Sequence, residues 1–515
     1  MKNRAYNILF HTHTVSGIII SVVLYVIFFA GSFSFFRDEI VNWERNESVK
    51  ITDDFTIDFN TTLDTLKTRY DLYGRDIEFR KYYVQQRIGV SLSASKDSLA
   101  PEEAKKPEFL YLDTKQFTQH TYQNSYSLGE FLYRLHFLAQ IPYPVGYYLS
   151  GFVAFFFLFA IITGVLVHWK KIVSNFYVFR PLKKLKTLWT DAHTALGMIG
   201  LPFQFVYAVT GAFFMIKLVL VAPNVMVLFD GDQAKFYEEL GYSHPHFEME
   251  KDSLETSINL NQFIEKTKNQ WDGFNISEVH IFNYGNENMH VLTSGHLNYS
   301  DKFSGAGEAI YKVSNGELVS QKIPETNNSY LDGVKNALYR LHFADYGNYA
   351  LKIVSFVLGL ISCFVIISGV MIWLVARDKK NIPENKRRFN LRVVRVYLAV
   401  CLSMYPITAA SFITVKVFQP EGKAFIYSFY FIGWLVLSVF FIWKKELGFI
   451  NKYTLLSGSI LGFIVPITNG LVTQNWLWNA FANQQFQIFF IDAFWLVLAS
   501  VTLWVFFKLK KNGVK

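Results

Sequence analysis

Cysteine is nearly absent from this chain, and histidine is absent from its last third. There are two cysteines, Cys363 and Cys401, in 515 residues. Both lie in or at the start of apolar runs, so no disulfide framework is expected. No Cys-x-x-Cys-His stretch occurs, which excludes covalent attachment of haem. No Gly-x-Gly-x-x-Gly sits at a strand–helix turn, so binding of NADPH or flavin by the chain itself is not expected. Charge is also scarce: 18% of residues are charged against 51% hydrophobic, and mean hydropathy is +0.19. That is too apolar for a soluble protein of this size, and the apolar residues fall in blocks long enough to span a bilayer. The net charge of +9 does not point to nucleic acid, because much of the excess sits in short loops beside apolar runs, where it sets membrane orientation.

What is present is a repeat. His13-Thr14-Val15-Ser16-Gly17 returns as His193-Thr194-Ala195-Leu196-Gly197, and each copy opens a long apolar run with a glycine, Gly31 or Gly211, 18 residues after its histidine. Tyr133-Arg134-Leu135-His136-Phe137 follows the first run and Tyr339-Arg340-Leu341-His342-Phe343 the second. The apolar runs predict eight spans, near 14–36, 145–168, 194–219, 349–375, 392–416, 424–443, 453–473 and 486–508. Pro406 and Pro466 are expected to kink two of the last four. Lys2 and Arg4 precede the first run without a small-residue cleavage site, so an uncleaved first span is expected.

Lysines and arginines at 170–186, at 377–395 and at Lys444, Lys445 and Lys452 predict cytoplasmic loops, with both termini on that side. Two polar segments, 38–130 and 220–335, then lie outside. Tyr82–Leu92 and Phe109–Asp113 read as strands, and Ala309–Val319 reads as a hairpin turning at Asn315-Gly316. Two small α+β domains are expected. Span one occupies 1–37, spans two and three with their loop 131–219, span four 336–380, and a four-span extension 390–515.

Five histidines, His13, His136, His168, His193 and His342, fall in or at the ends of the first four spans. Such residues are costly in lipid and usually face a bundle interior or a cofactor. Neutral imidazole ligates haem iron, and the repeat offers two pairs, His13 with His193 and His136 with His342. An 18-residue spacing is about five helical turns, or ~27 Å, so Gly31 shares a face with His13 and Gly211 with His193; Gly17 and Gly197 lie one turn on. That stripe lets a flat macrocycle or another helix approach. Arg134 and Arg340 could meet haem propionates or lipid headgroups. His168 breaks the repeat, since Trp373 is its counterpart. His11 faces another direction. His244-Pro245-His246 lacks a third metal ligand nearby.

These motifs, in their order and spacing, resemble the PepSY-associated transmembrane family, which includes iron-regulated inner-membrane proteins and ferric-siderophore reductases of bacteria. The resemblance covers about residues 1–380. It implies a polytopic α-helical membrane protein with a four-helix core binding two haem b groups and two periplasmic PepSY-like α+β insertions; the four additional C-terminal helices at 390–515 depart from the family pattern, whose core does not need them. It also implies axial ligation by His13, His193, His136 and His342, with His168 as a further candidate. The implied activity is electron transfer to a periplasmic ferric chelate, with a quinol or a cytoplasmic reductase as donor. The residues themselves leave two other readings open: a haem-free binding, transport or regulatory protein, and a haem protein serving another periplasmic acceptor.

Overall fold

The computed structural model describes residues 3–49, 55, 57–81, 83–169, 185–239, 245–297, 303–324, 326, 329–419 and 422–511. The chain falls into two compact units, one of Met1–Ser48, Ser127–Pro223 and Tyr349–Lys515, the other of Val49–Tyr126 and Asn224–Asn348.

The first unit is helical. Among the described residues, seven helical stretches are long and apolar enough to cross a membrane, or eight spans if one bent pair counts as one. Helix α1 (Asn3–Ser34) runs unbroken, so it begins more than two turns before His13 rather than at it. A short helix, α2 (Arg37–Arg45), follows, with Asn46 in the left-handed conformation ending it. In the second unit α3 (Phe59–Lys67) starts on the Asp58 carboxylate, which accepts the amides of Asn60 and Thr61. Back in the first unit, α4 (Leu128–His136), capped by Ser127, is followed by α5 (Val145–His168).

The span expected at 194–219 is broken. Helices α6 (Leu185–Ile199) and α7 (Leu201–Leu228) meet at Gly200 with a 69° bend between their apolar portions. Pro202 supplies the reason: it lacks the amide that would bond the carbonyl one turn back, and its ring crowds that carbonyl. Residues 170–184, which hold most of the basic residues of the first expected cytoplasmic loop, lie outside the described residues.

The second unit continues with α8 (Gln233–Glu239), α9 (Leu260–Gln270) and α10 (Tyr330–Phe343). Its strands correct the expectation of two separate domains. The first polar segment gives β1 (Ile77–Arg80), β2 (Arg87–Leu92), β3 (Glu108–Asp113) and β4 (Gln119–Thr121); the second gives β5 (Phe274–Phe282), β6 (His290–Leu297), β7 (Ala306–Lys312) and β8 (Leu318–Lys322). The strand expected over Tyr82–Leu92 thus starts only at Arg87, and Tyr82 itself lies outside the described residues. All eight strands form one antiparallel sheet in the order β4-β3-β2-β1-β5-β6-β7-β8. The seam is β1 against β5, with Ile77 opposite Ile281 and Phe79 opposite Val279. Each segment supplies one core helix and then four strands, and joining the two first strands removes two exposed sheet edges. Helices α3 and α9 cover one face, packing Phe59, Leu63, Phe263 and Ile264 on the buried side chains of both halves. The Asn315-Gly316 hairpin forms as β7–β8, with Gly316 at φ 68°.

The first unit closes with α11 (Asn348–Arg377), α12 (Glu384–Leu402), α13 (Met404–Phe418), α14 (Lys423–Trp443), α15 (Leu447–Thr473), α16 (Leu477–Ala482) and α17 (Phe486–Lys511). Pro406 lies just after the break between α12 and α13, whereas α15 continues as one helix through Pro466. Cys363 and Cys401 are both free and buried.

Candidate functional site

Three histidines of the first unit are held by the same local device. His13 on α1 places Nδ1 2.8 Å from the Ala160 carbonyl on α5. His193 on α6 places Nδ1 2.9 Å from the Val365 carbonyl on α11, with Ser368 Oγ at 3.0 Å. His136, in the last turn of α4, places Nδ1 2.8 Å from the Ile27 carbonyl on α1. A carbonyl can only accept, so each Nδ1 must carry the proton. In the neutral imidazole Nε2 then keeps its lone pair, the form a metal requires. Anchoring the far nitrogen in this way also orients the ring for ligation.

In each case a glycine lies four residues after the accepting carbonyl: Gly164 after Ala160, Gly369 after Val365, Gly31 after Ile27. A helical side chain leans back over the preceding turn and would cover that carbonyl. A Cβ at Gly31 would stand 2.4 Å from His136 Nδ1; at Gly164, 3.0 Å from His13 Cε1; at Gly369, 3.3 Å from His193 Cε1. The accepting carbonyls and two of these glycines were not singled out from sequence, although the signal exists. Ile161-Ile162-Thr163-Gly164-Val165 is repeated as Ile366-Ile367-Ser368-Gly369-Val370.

The structure brings His13 and His193 together, with ring centroids 6.2 Å apart and planes at 72°. His168 is an electrostatic neighbour of both, yet among the described residues no group of three or more His, Cys, Asp or Glu side chains is arranged to hold a metal ion. Next to this pair, a Cβ on Gly17 would meet nothing within 4 Å, and one on Gly197 only Val365 Cγ1 at 4.0 Å. Gly211 plays a different part from Gly31. A Cβ there would lie 3.4 Å from Ala154 Cβ, and the bend at Gly200 removes Gly211 from the straight stripe below His193.

His342 lies in the last turn of α10, in the second unit. Both motif arginines are engaged by carboxylates. Arg134 Nε donates to Glu130 Oε1 at 2.6 Å, and Glu130 Oε2 also accepts two bonds from Arg37. Arg340, buried, donates to Asp345 and lies over the Phe303 ring. His246 sits 3.2 Å from Glu248, and His244 lies outside the described residues.

No curated protein matches the chain. The family model described as the PepSY-associated TM region matches residues 10–376, a span that contains His13, His136, His168, His193, His342 and the whole eight-stranded sheet, and the chain therefore belongs to that family.

Proposed function

We propose that this protein is a transmembrane electron conduit that binds two haem b groups and reduces a ferric chelate, such as siderophore-bound iron, on the periplasmic side of a bacterial inner membrane. In this reading both termini are cytoplasmic and the eight-stranded sheet is periplasmic. One observation carries it: His13 and His193, equivalent residues of the two repeats, meet with ring centroids 6.2 Å apart. At that separation these two rings would be the ones to hold one of the two groups between them. The donor set fits as well, since both Nδ1 atoms face carbonyl oxygens and both Nε2 atoms keep a lone pair.

Haem held by His13 and His193 would supply a one-electron carrier. The protein's own part is orientation. The Ala160 and Val365 carbonyls hold the two rings by Nδ1, Gly164 and Gly369 let the rings reach those carbonyls, and a Cβ on Gly17 would meet nothing within 4 Å. The repeat, rather than any distance, assigns His136 and His342 to the second group. Two groups are required because one cannot bridge about 30 Å of hydrocarbon. The substrate iron gains one electron, passing from Fe(III) to Fe(II), and an oxygen-donor chelate holds the softer, less charged ion less tightly. The electron comes from a quinol or a cytoplasmic reductase.

The test is the visible spectrum of the detergent-purified protein, oxidised and then dithionite-reduced, with haem counted per chain. A low-spin b-type spectrum with two haems per chain, reoxidised by added ferric chelate, is the expected result. A colourless protein made with ample haem supply would overturn the proposal and favour a haem-free binding or transport role. Haem that ferric chelates leave reduced would point to another acceptor.

A further inference from the structure

The family match ends at residue 376 and leaves the four C-terminal spans without a role. Those spans do not stand apart from the repeat-derived helices. They converge on the short helix α2 through buried polar contacts and on α4 through aromatic packing. Asp492 on α17 accepts the Trp43 indole N–H at 2.8 Å with one oxygen and the Asn469 amide of α15 at 2.8 Å with the other. Lys416 on α13 donates to the Trp43 carbonyl, in the last turn of α2, and its ammonium lies 4.5 Å from the Trp43 ring centre. Asn42 donates to Gln487 at 2.8 Å, and Asn475 donates to Asn46 at 3.0 Å. Trp43, Asn42, Lys416 and Asp492 are each wholly buried. Helix α14 reaches α4 directly, where Phe131 packs on Tyr430 and Tyr427 at 4.7 and 5.4 Å.

Helix α2 passes this grip on to α4. Glu44 accepts the Leu128 amide at 2.7 Å, Arg37 donates twice to Glu130, and Gly129 lies so close to α2 that a Cβ there would stand 2.6 Å from the Arg37 carbonyl. His136 is the last residue of α4. Two buried ionisable side chains are a costly way to make an ordinary helix contact, because apolar residues of the same size often serve stability as well or better. What a fixed hydrogen-bond set supplies is one register of α2, and hence of α4, against the bundle.

We propose that the C-terminal four-helix module positions His136, with Asp492 and Lys416 acting as positioning residues through Trp43, α2 and α4. This rests on the reading of His136 as a ligand, and the test separates the two. Asp492→Ala and, from the α4 side, Phe131→Leu are compared with the parent chain. His136→Ala and His13→Ala assign the two low-spin signals. In the haem-loaded protein, both test variants should shift the potential of the His136-dependent signal, or lose most of its amplitude, and leave the His13-dependent signal in place. In haem-free protein, carbethoxylation of His136, read by mass spectrometry, should speed up relative to His13 in both variants, by roughly five- to a hundredfold in Asp492→Ala, which removes a buried hydrogen-bond acceptor. The haem-free measurement stands even if the haem reading fails. Unchanged His136 reactivity in both variants would overturn the inference. Faster reactivity with an unmoved His136 signal would also overturn it, reducing the module to structural support.

Discussion

Each of three histidines has its Nδ1 anchored on a helix carbonyl that a glycine one turn on leaves uncovered. Ala160 with Gly164, Val365 with Gly369, and Ile27 with Gly31 are the three pairs. The space at each glycine predicts a graded series. Gly31→Ala should disturb its histidine most, because a Cβ would stand 2.4 Å from the ring; Gly164→Ala should disturb less at 3.0 Å, and Gly369→Ala least at 3.3 Å. Overpacking of this kind costs about 1–3 kcal/mol. Thermal unfolding and haem content of the three variants, ranked together, check the order; equal effects would refute it. The histidines and Gly31 were legible in sequence because they repeat. The carbonyl partners were not, because any residue offers a carbonyl and only packing selects one.

At the scale of elements, two helix ends carry distinct expectations. The bend between α6 and α7 follows from Pro202, so Pro202→Ala should let the two helices straighten and move His193 relative to His13. Spin-label distances across Gly200, measured in both proteins, would lengthen; unchanged distances would place the cause in packing instead.

Helix α10, which carries Arg340 and His342, starts with a reciprocal cap between Ser329 and Asp332, and Lys322 reaches the same carboxylate at 2.9 Å. Burial pushes the Asp332 carboxyl up, but the bonds from Lys322 and Ser329 outweigh it and hold the group below its ordinary value. A depressed folded value means that protonation favours the unfolded helix end. The contribution is complete above about pH 4–5, where the unfolded carboxylate is ionised, and falls away as pH drops through the lower folded value. Amide exchange of 329–336 should accelerate in acid in the parent chain, and Asp332→Asn should be fast already at neutral pH.

At the scale of the molecule, the second unit is one fold made by two distant segments. Phe79 and Val279, both fully buried, face each other across the β1–β5 seam. Phe79→Ala should cost about 3–5 kcal/mol, and exchange protection should fall in β2 and in β6 together. Loss confined to β1–β4 would show that the halves fold independently. The first unit shows the same economy, since its unmatched last third closes on α2 and α4 rather than forming a separate bundle.

Sequence by itself determined the membrane class, the four-span repeat, the histidines and the runs that form β2, β3 and the β7–β8 hairpin. Each of these rests on a local quantity, whether apolar length, periodicity or a duplicated motif. Tertiary structure decided what meets what. It joined two polar segments at β1–β5, set His13 beside His193, gave Gly31 to His136 and Gly211 to Ala154, and laid the C-terminal helices on Trp43. Those choices depend on contacts between residues far apart in the chain, where complementarity of shape and buried hydrogen bonding, rather than any local pattern, selects the partner.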